Sequence, residues 1–168
     1  MTSALSAFRR TASVAALVLG MSDAVSAQTV TTVAGGFGAG IGANQLALPN
    51  GIALDGDGNL YIADTGYTRI QKWAPGASEG TTVAGGNGYG NAANQLSAPV
   101  GVAVDGDGNL YIVDGNHRIQ KWAPGASAGT TVAGGNGQGI AANQLLSPRG
   151  VALDGAGNVY IADGNHRI

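Results

Sequence analysis

The sequence predicts an all-β fold built from repeated four-stranded units, and three observations carry that prediction. The stretch Pro49 to Asp64 returns as Pro99 to Asp114 and again as Pro148 to Asp163. The aligned aspartates Asp55, Asp105 and Asp154 lie 50 and then 49 residues apart, a period that belongs to propellers, solenoids and similar arrays. Within each copy, short apolar runs alternate with turn-forming clusters of Gly, Asn and Asp.

The chain begins with a leader. Arg9 and Arg10 supply a positive start, residues 12–21 an apolar run, and Val25-Ser26-Ala27 small residues at a cleavage position. Residues 1–27 therefore read as a secretory signal peptide, with Gln28 opening the mature chain. Export to the periplasm or the extracellular space follows. Removing the leader leaves six basic and nine acidic side chains, a formal charge of −3. The full chain has 168 residues, 30 Gly, no Cys and 11% charged residues. Disulfides and thiolate chemistry are excluded. A near-neutral, slightly acidic chain lacks the footprint of a nucleic-acid binder. Beyond the leader no run is long and apolar enough to span a membrane.

The first repeat sets the pattern. Gly51-Ile52-Ala53-Leu54 is a short strand, and Asp55-Gly56-Asp57-Gly58-Asn59 is a turn. Leu60-Tyr61-Ile62-Ala63 is the second strand, completing a β-hairpin. Asp64 to Thr68 turns the chain again into a third strand, Arg69 to Trp73. Pro75-Gly76 marks the next turn. The β-branched stretch Thr81-Thr82-Val83-Ala84 is the fourth strand, and residues 85–98 carry the chain to the next copy.

Strands one and two are apolar on both faces. A sheet with one wet face would alternate apolar and polar residues. Here both faces need cover, and neighbouring sheets must provide it. Four-stranded sheets stacked face to face around an axis make a β-propeller. The repeats fall near 49–84, 99–133 and 148–168. Residues 29–34 match the fourth strand and are expected to supply an outer strand. The count gives about three antiparallel blades, half of a six-bladed ring. Three blades fall short of the usual four to eight. Two readings follow: two copies self-associate into a six-bladed ring, or the sequence is a piece of a longer reading frame.

The repeated residues also resemble a family. Pro-x-Gly-Val/Ile-Ala-Val/Leu-Asp-x-x-Gly-Asn-Leu/Val-Tyr-Ile-x-Asp, followed by Asn116-His117-Arg118-Ile119 or Asn165-His166-Arg167-Ile168, is similar to the NHL repeat. The first copy departs, with Tyr67-Thr68 where Asn-His stands in the others. The resemblance implies a propeller, usually of six blades. It implies function only weakly, because the family includes binding and scaffold domains as well as enzymes.

Candidate chemistry is sparse. Asp55-x-Asp57-x-Asn59 and Asp105-x-Asp107-x-Asn109 look like the start of a calcium loop. The bidentate Glu such a loop needs at its twelfth position is missing, so these read as hairpin turns. His117 and His166 could act as metal ligands or bases, but each is the only His in its repeat. Arg69, Arg118 and Arg167 are expected to meet Asp64, Asp114 and Asp163 and tie the following turn. The Gly-rich connectors have neither the Lys nor the helix of a phosphate loop. Lying at one end of the blades, they are where binding residues are expected. Phe37, Tyr89 and Gln138 at their tips, together with His117 and His166, are the candidate ligand contacts. No catalytic set, metal site or cofactor is assigned. The expected role is an exported binding or scaffold module for a protein, peptide or glycan. The alternatives are a propeller-type lyase or hydrolase with a metal at the central channel, or a fragment with no function of its own.

Overall fold

The computed structural model describes residues 29–168. The expected signal peptide, residues 1–27, lies outside the described residues. The first sheet comprises β1 (Pro49–Leu54), β2 (Leu60–Asp64), β3 (Arg69–Trp73) and β4 (Thr81–Gly85), hydrogen-bonded in that order. A 3-10 turn, Thr65–Tyr67, joins β2 to β3. The second sheet repeats the first with β5 (Gly101–Val104), β6 (Leu110–Asp114), β7 (Arg118–Trp122) and β8 (Thr130–Gly134). The third holds β9 (Gly150–Leu153) and β10 (Val159–Ala162), extended only by a bridge between Asp163 and Arg167. The named strands all pair antiparallel. We refer to the three sheets as blades 1, 2 and 3.

Local chemistry explains the hairpins. Asp55 Oδ1 accepts the N–H groups of Asp57 and Asn59 at 3.0 and 2.8 Å, and Oδ2 accepts the Asn59 amide at 2.8 Å. Gly58 takes a φ of +79° inside that turn, a conformation that costs glycine little. The same bonds recur at Asp105 and Asp154. The calcium-like spelling is thus a self-bonded turn. Even the irregularities repeat: β3–β4 slips register between Ile70 and Gln71, and β7–β8 between Ile119 and Gln120.

The blades stack face to face, with β1 against β5 and β5 against β9. One face of blade 1 (Tyr61, Ala63, Ile70, Ala84) packs on the opposite face of blade 2 (Val102, Leu110, Ile112, Trp122). Tyr111, Val113 and Ile119 of blade 2 meet Val151, Leu153, Val159 and Ile161 of blade 3 in the same way. Leu96 and Leu145 of the connectors plug the two joints. First strands approach most closely. A Cβ on Gly51 would stand 2.7 Å from both the Gly101 Cα and the Val100 carbonyl. The molecule is an all-β partial propeller.

The sequence spells an outer strand at residues 29–34. Residues 29–34 form no strand. The outer strands β4 and β8 each pair with a third strand, β3 or β7. Among the described residues, no third strand lies beside residues 32–34.

Candidate functional site

Antiparallel order sends alternate turns to opposite ends of a blade. The β2–β3 turns and the connectors therefore share one end, and the Asp-Gly-x-Gly-Asn turns share the other.

The connector end is built on a buried ion pair. Arg118 Nε donates to Asp114 Oδ2 at 2.7 Å. The other Asp114 oxygen accepts the N–H of Ser97, in the connector, at 2.8 Å. The rest of the guanidinium donates to the connector carbonyls of Asn91, Ala92 and Gln95. Asp64–Arg69 grips residues 40–47 in the same way, and Asp163–Arg167 grips residues 140–146. The Asp–Arg pairing expected from the sequence is present in all three copies. Its reach into the connector is the part that spelling alone does not reveal. Burial pulls the Asp163 carboxyl upward, but the Leu146 N–H, Arg167 and Asn165 outweigh it and hold the carboxyl below its ordinary value. The arginine that clasps each connector belongs to the blade the connector enters.

The predicted contact residues separate into distinct roles. Tyr89 and Gln138 occupy equivalent positions, each bridged to the plug leucine of its connector, Leu96 or Leu145. Phe37 belongs to a different position. Its carbonyl accepts the Gln45 amide as those of Asn87 and Asn136 accept Gln95 and Gln144, so Phe37 stands where the other connectors carry Asn. Asn87 and Asn136 staple their loops to the carbonyls of Asn94 and Asn143. Phe37 cannot, and its side chain stands out in solvent.

His117 and His166 sit in left-handed backbone, with φ of 58° and 60°. They close the β2–β3 type of turn. The His117 carbonyl accepts the Gly135 N–H at 3.0 Å. Its ring Nδ1 accepts the N–H of Ser147 at 3.0 Å, tying blade 2 to the connector entering blade 3. The two histidines are not brought together. Among the described residues, no three His, Asp or Glu side chains are placed to hold a metal ion.

The opposite end carries a feature the sequence reading missed. A cleft of about 470 Å³ opens between blades 1 and 2, lined by Asp55, Asp57, Tyr61, Lys72, Asp105 and Asp107 among others. Lys72 lies 4.0 Å from Asp55 and 5.4 Å from the Tyr61 ring centroid. The Asn59 amide holds the Asp55 carboxyl below its ordinary value. Burial pulls Asp105 upward, but bonds from Asn109 outweigh it and leave that carboxyl low as well. These carboxylates are ionised at neutral pH, and the turns consume their oxygens. Among the described residues, the cleft gathers no set of three side chains placed to coordinate a metal ion.

Comparison with known proteins agrees with the architecture. No protein-family model matches the sequence, and no curated protein matches it. Solved structures do. A gluconolactonase from Xanthomonas campestris aligns at 20% identity and a TM-score of 0.50, over 71% of this chain and 36% of that one. A protein of unknown function from Bacteroides thetaiotaomicron aligns at 27% identity and a TM-score of 0.50, over 64% and 30%. Such neighbours are propeller proteins, and the likeness is one of fold. The chain spans about a third of the length of these structures.

Proposed function

We propose that this chain is an exported, NHL-type propeller segment that binds a protein or peptide through its connector end. The leader supports export, and the Asn-His-Arg-Ile spelling supports the family. The observation that carries binding is the set of large side chains on the clamped connectors. Phe37, Ile41, Tyr89 and Ile140 are between 64% and 79% exposed, on loops whose backbone carbonyls are held by Arg69, Arg118 and Arg167. Exposed apolar groups rimmed by polar residues mark interaction surfaces, and aromatic anchors carry much of the energy at such surfaces. A loop already held in shape loses little further freedom on binding.

The test is a peptide array and a glycan array probed with the purified chain and with a Phe37→Ser/Tyr89→Ser variant. The expected result is peptide binding that weakens roughly tenfold or more in the variant. Binding that ignores the substitutions, binding to glycans alone, or no binding on either array would overturn the proposal.

A further inference from the structure

We propose that Asn87 and Asn136 are sites of spontaneous covalent modification, converting to aspartate and isoaspartate, while the joint between blades 1 and 2 protects Asn50 from the same reaction. These three are the Asn-Gly pairs of the chain, with Gly88, Gly137 and Gly51 following. Water is the only co-reactant. The backbone nitrogen of the glycine attacks the asparagine Cγ. An N–Cγ bond forms, the Cγ–Nδ2 bond breaks, and the glycine proton leaves with the amide as ammonia. Water then opens the five-membered imide at one carbonyl or the other. The residue ends as aspartate, or as isoaspartate with the main chain rerouted through the side chain. Glycine favours the attack because no Cβ shields its nitrogen and its backbone turns freely.

The same dipeptide meets opposite surroundings. Gly88 and Gly137 are exposed, with φ of 80° and 82°, and a Cβ on either would meet nothing within 4 Å. Among the described residues, neither N–H has an acceptor. Gly51 lies in β1. Its N–H donates to the Val100 carbonyl at 3.0 Å, and a Cβ there would stand 2.7 Å from the Gly101 Cα. Attack at Asn50 requires that nitrogen to give up its bond and swing inside a joint where two backbones touch. All three asparagines are exposed, so accessibility alone does not rank them. In the connectors, Nδ2 of Asn87 and Asn136 must first leave the carbonyls of Asn94 and Asn143, 2.9 and 3.0 Å away. That release needs only a local opening of a surface loop.

Conversion cuts the staple. The new carboxylate is ionised at neutral pH and cannot donate to the Gly85 and Asn94 carbonyls that accept the Asn87 amide, nor to those of Gly134 and Asn143. It is repelled by the same oxygens. The fold already tolerates such a loss. Phe37 occupies the equivalent position without a staple, and its connector keeps both the Gln45 bond to the Phe37 carbonyl and the Arg69 grip. Modification therefore loosens the tips that carry Tyr89 and Gln138 and adds negative charge beside them, without unfolding a blade.

The test is incubation of the purified full chain in mildly alkaline, heavy-oxygen water, read by peptide mass spectrometry. Asn87 and Asn136 should each take up one heavy oxygen and appear as a mixture of aspartate and isoaspartate, while Asn50 keeps its amide. In urea all three should convert at similar rates, because only the shared dipeptide then acts. Asn87→Asp carries the product's charge on an ordinary backbone. It should keep a strand-type circular-dichroism spectrum and exchange the Gly90 amide hydrogen, bonded to the Leu96 carbonyl, faster than wild type. Conversion of Asn50 in the folded chain as fast as the connector sites would overturn the proposal. So would connector asparagines that stay intact while the urea sample converts, products free of isoaspartate, or an Asn87→Asp chain that exchanges Gly90 no faster or fails to fold.

Discussion

Arg118 Nε sits 2.7 Å from Asp114 Oδ2 with both side chains buried, and together they hold a loop that arrives from another blade. Cutting one partner leaves a buried, unpaired charge, which costs about 3–5 kcal/mol. Asp114→Ala is expected to lose stability in that range, measured by urea unfolding. Asp163→Ala should lose clearly less, because the Arg167 side chain is 37% exposed against 8% for Arg118 and water can take up its charge. Equal losses at the two positions would show that burial does not set the strength of the clamp.

Acid should loosen all three hairpin turns together. Asp55 and Asp154 are held below the ordinary value of 3.8 chiefly by the Asn59 and Asn158 amides. In Asp105 the bonds from Asn109 outweigh burial to the same effect. A carboxylate whose folded value is depressed contributes stability above its unfolded value, and that contribution is lost as pH falls through the folded one. Melting temperature should therefore hold down to about pH 4 and drop below it. Asn59→Ala should flatten part of that drop, and an unchanged acid limb in this variant would contradict the assignment.

Gly129 has no room for a methyl group. A Cβ there would collide with Trp122 Nε1 and crowd Gln120 Oε1, 2.7 Å away; both of those atoms are buried without hydrogen-bond partners. Gly129→Ala is expected to destabilise by about 1–3 kcal/mol through overpacking. Gly106→Ala, whose added methyl meets open space, should melt within a degree or two of wild type. A neutral Gly129→Ala would mean the tryptophan shifts freely.

His117 acts as a tie between blades. His117→Ala removes the acceptor for the Ser147 N–H, a loss of about 1 kcal/mol. His166→Ala changes the same left-handed backbone position without removing a bond described for its ring. Comparing the two unfolding midpoints separates the bond from the backbone effect. If both variants lose the same stability, the ring bond contributes nothing.

Much of this was readable in the residues. The repeat spacing and the two-sided apolar strands point to blades that need neighbours, and the Asp and Arg positions mark the tie. Residues 29–34 are spelled like an outer strand but are not paired within this chain, and strand spelling becomes a strand only beside a partner. Phe37 looks like a third tip with Tyr89 and Gln138, yet the Gln45 bond to its carbonyl aligns it with Asn87 and Asn136. The cleft between blades 1 and 2 was invisible because it is formed by turns 50 residues apart. Linear spacing does not show which turns end side by side.

The clasp on each incoming connector has a consequence for how such a chain can change length. Every blade carries its own socket for the segment that precedes it. A unit copied or deleted at the 49- or 50-residue period brings or removes a socket and its plug together. Blade number can drift through gene duplication without any joint having to be reinvented.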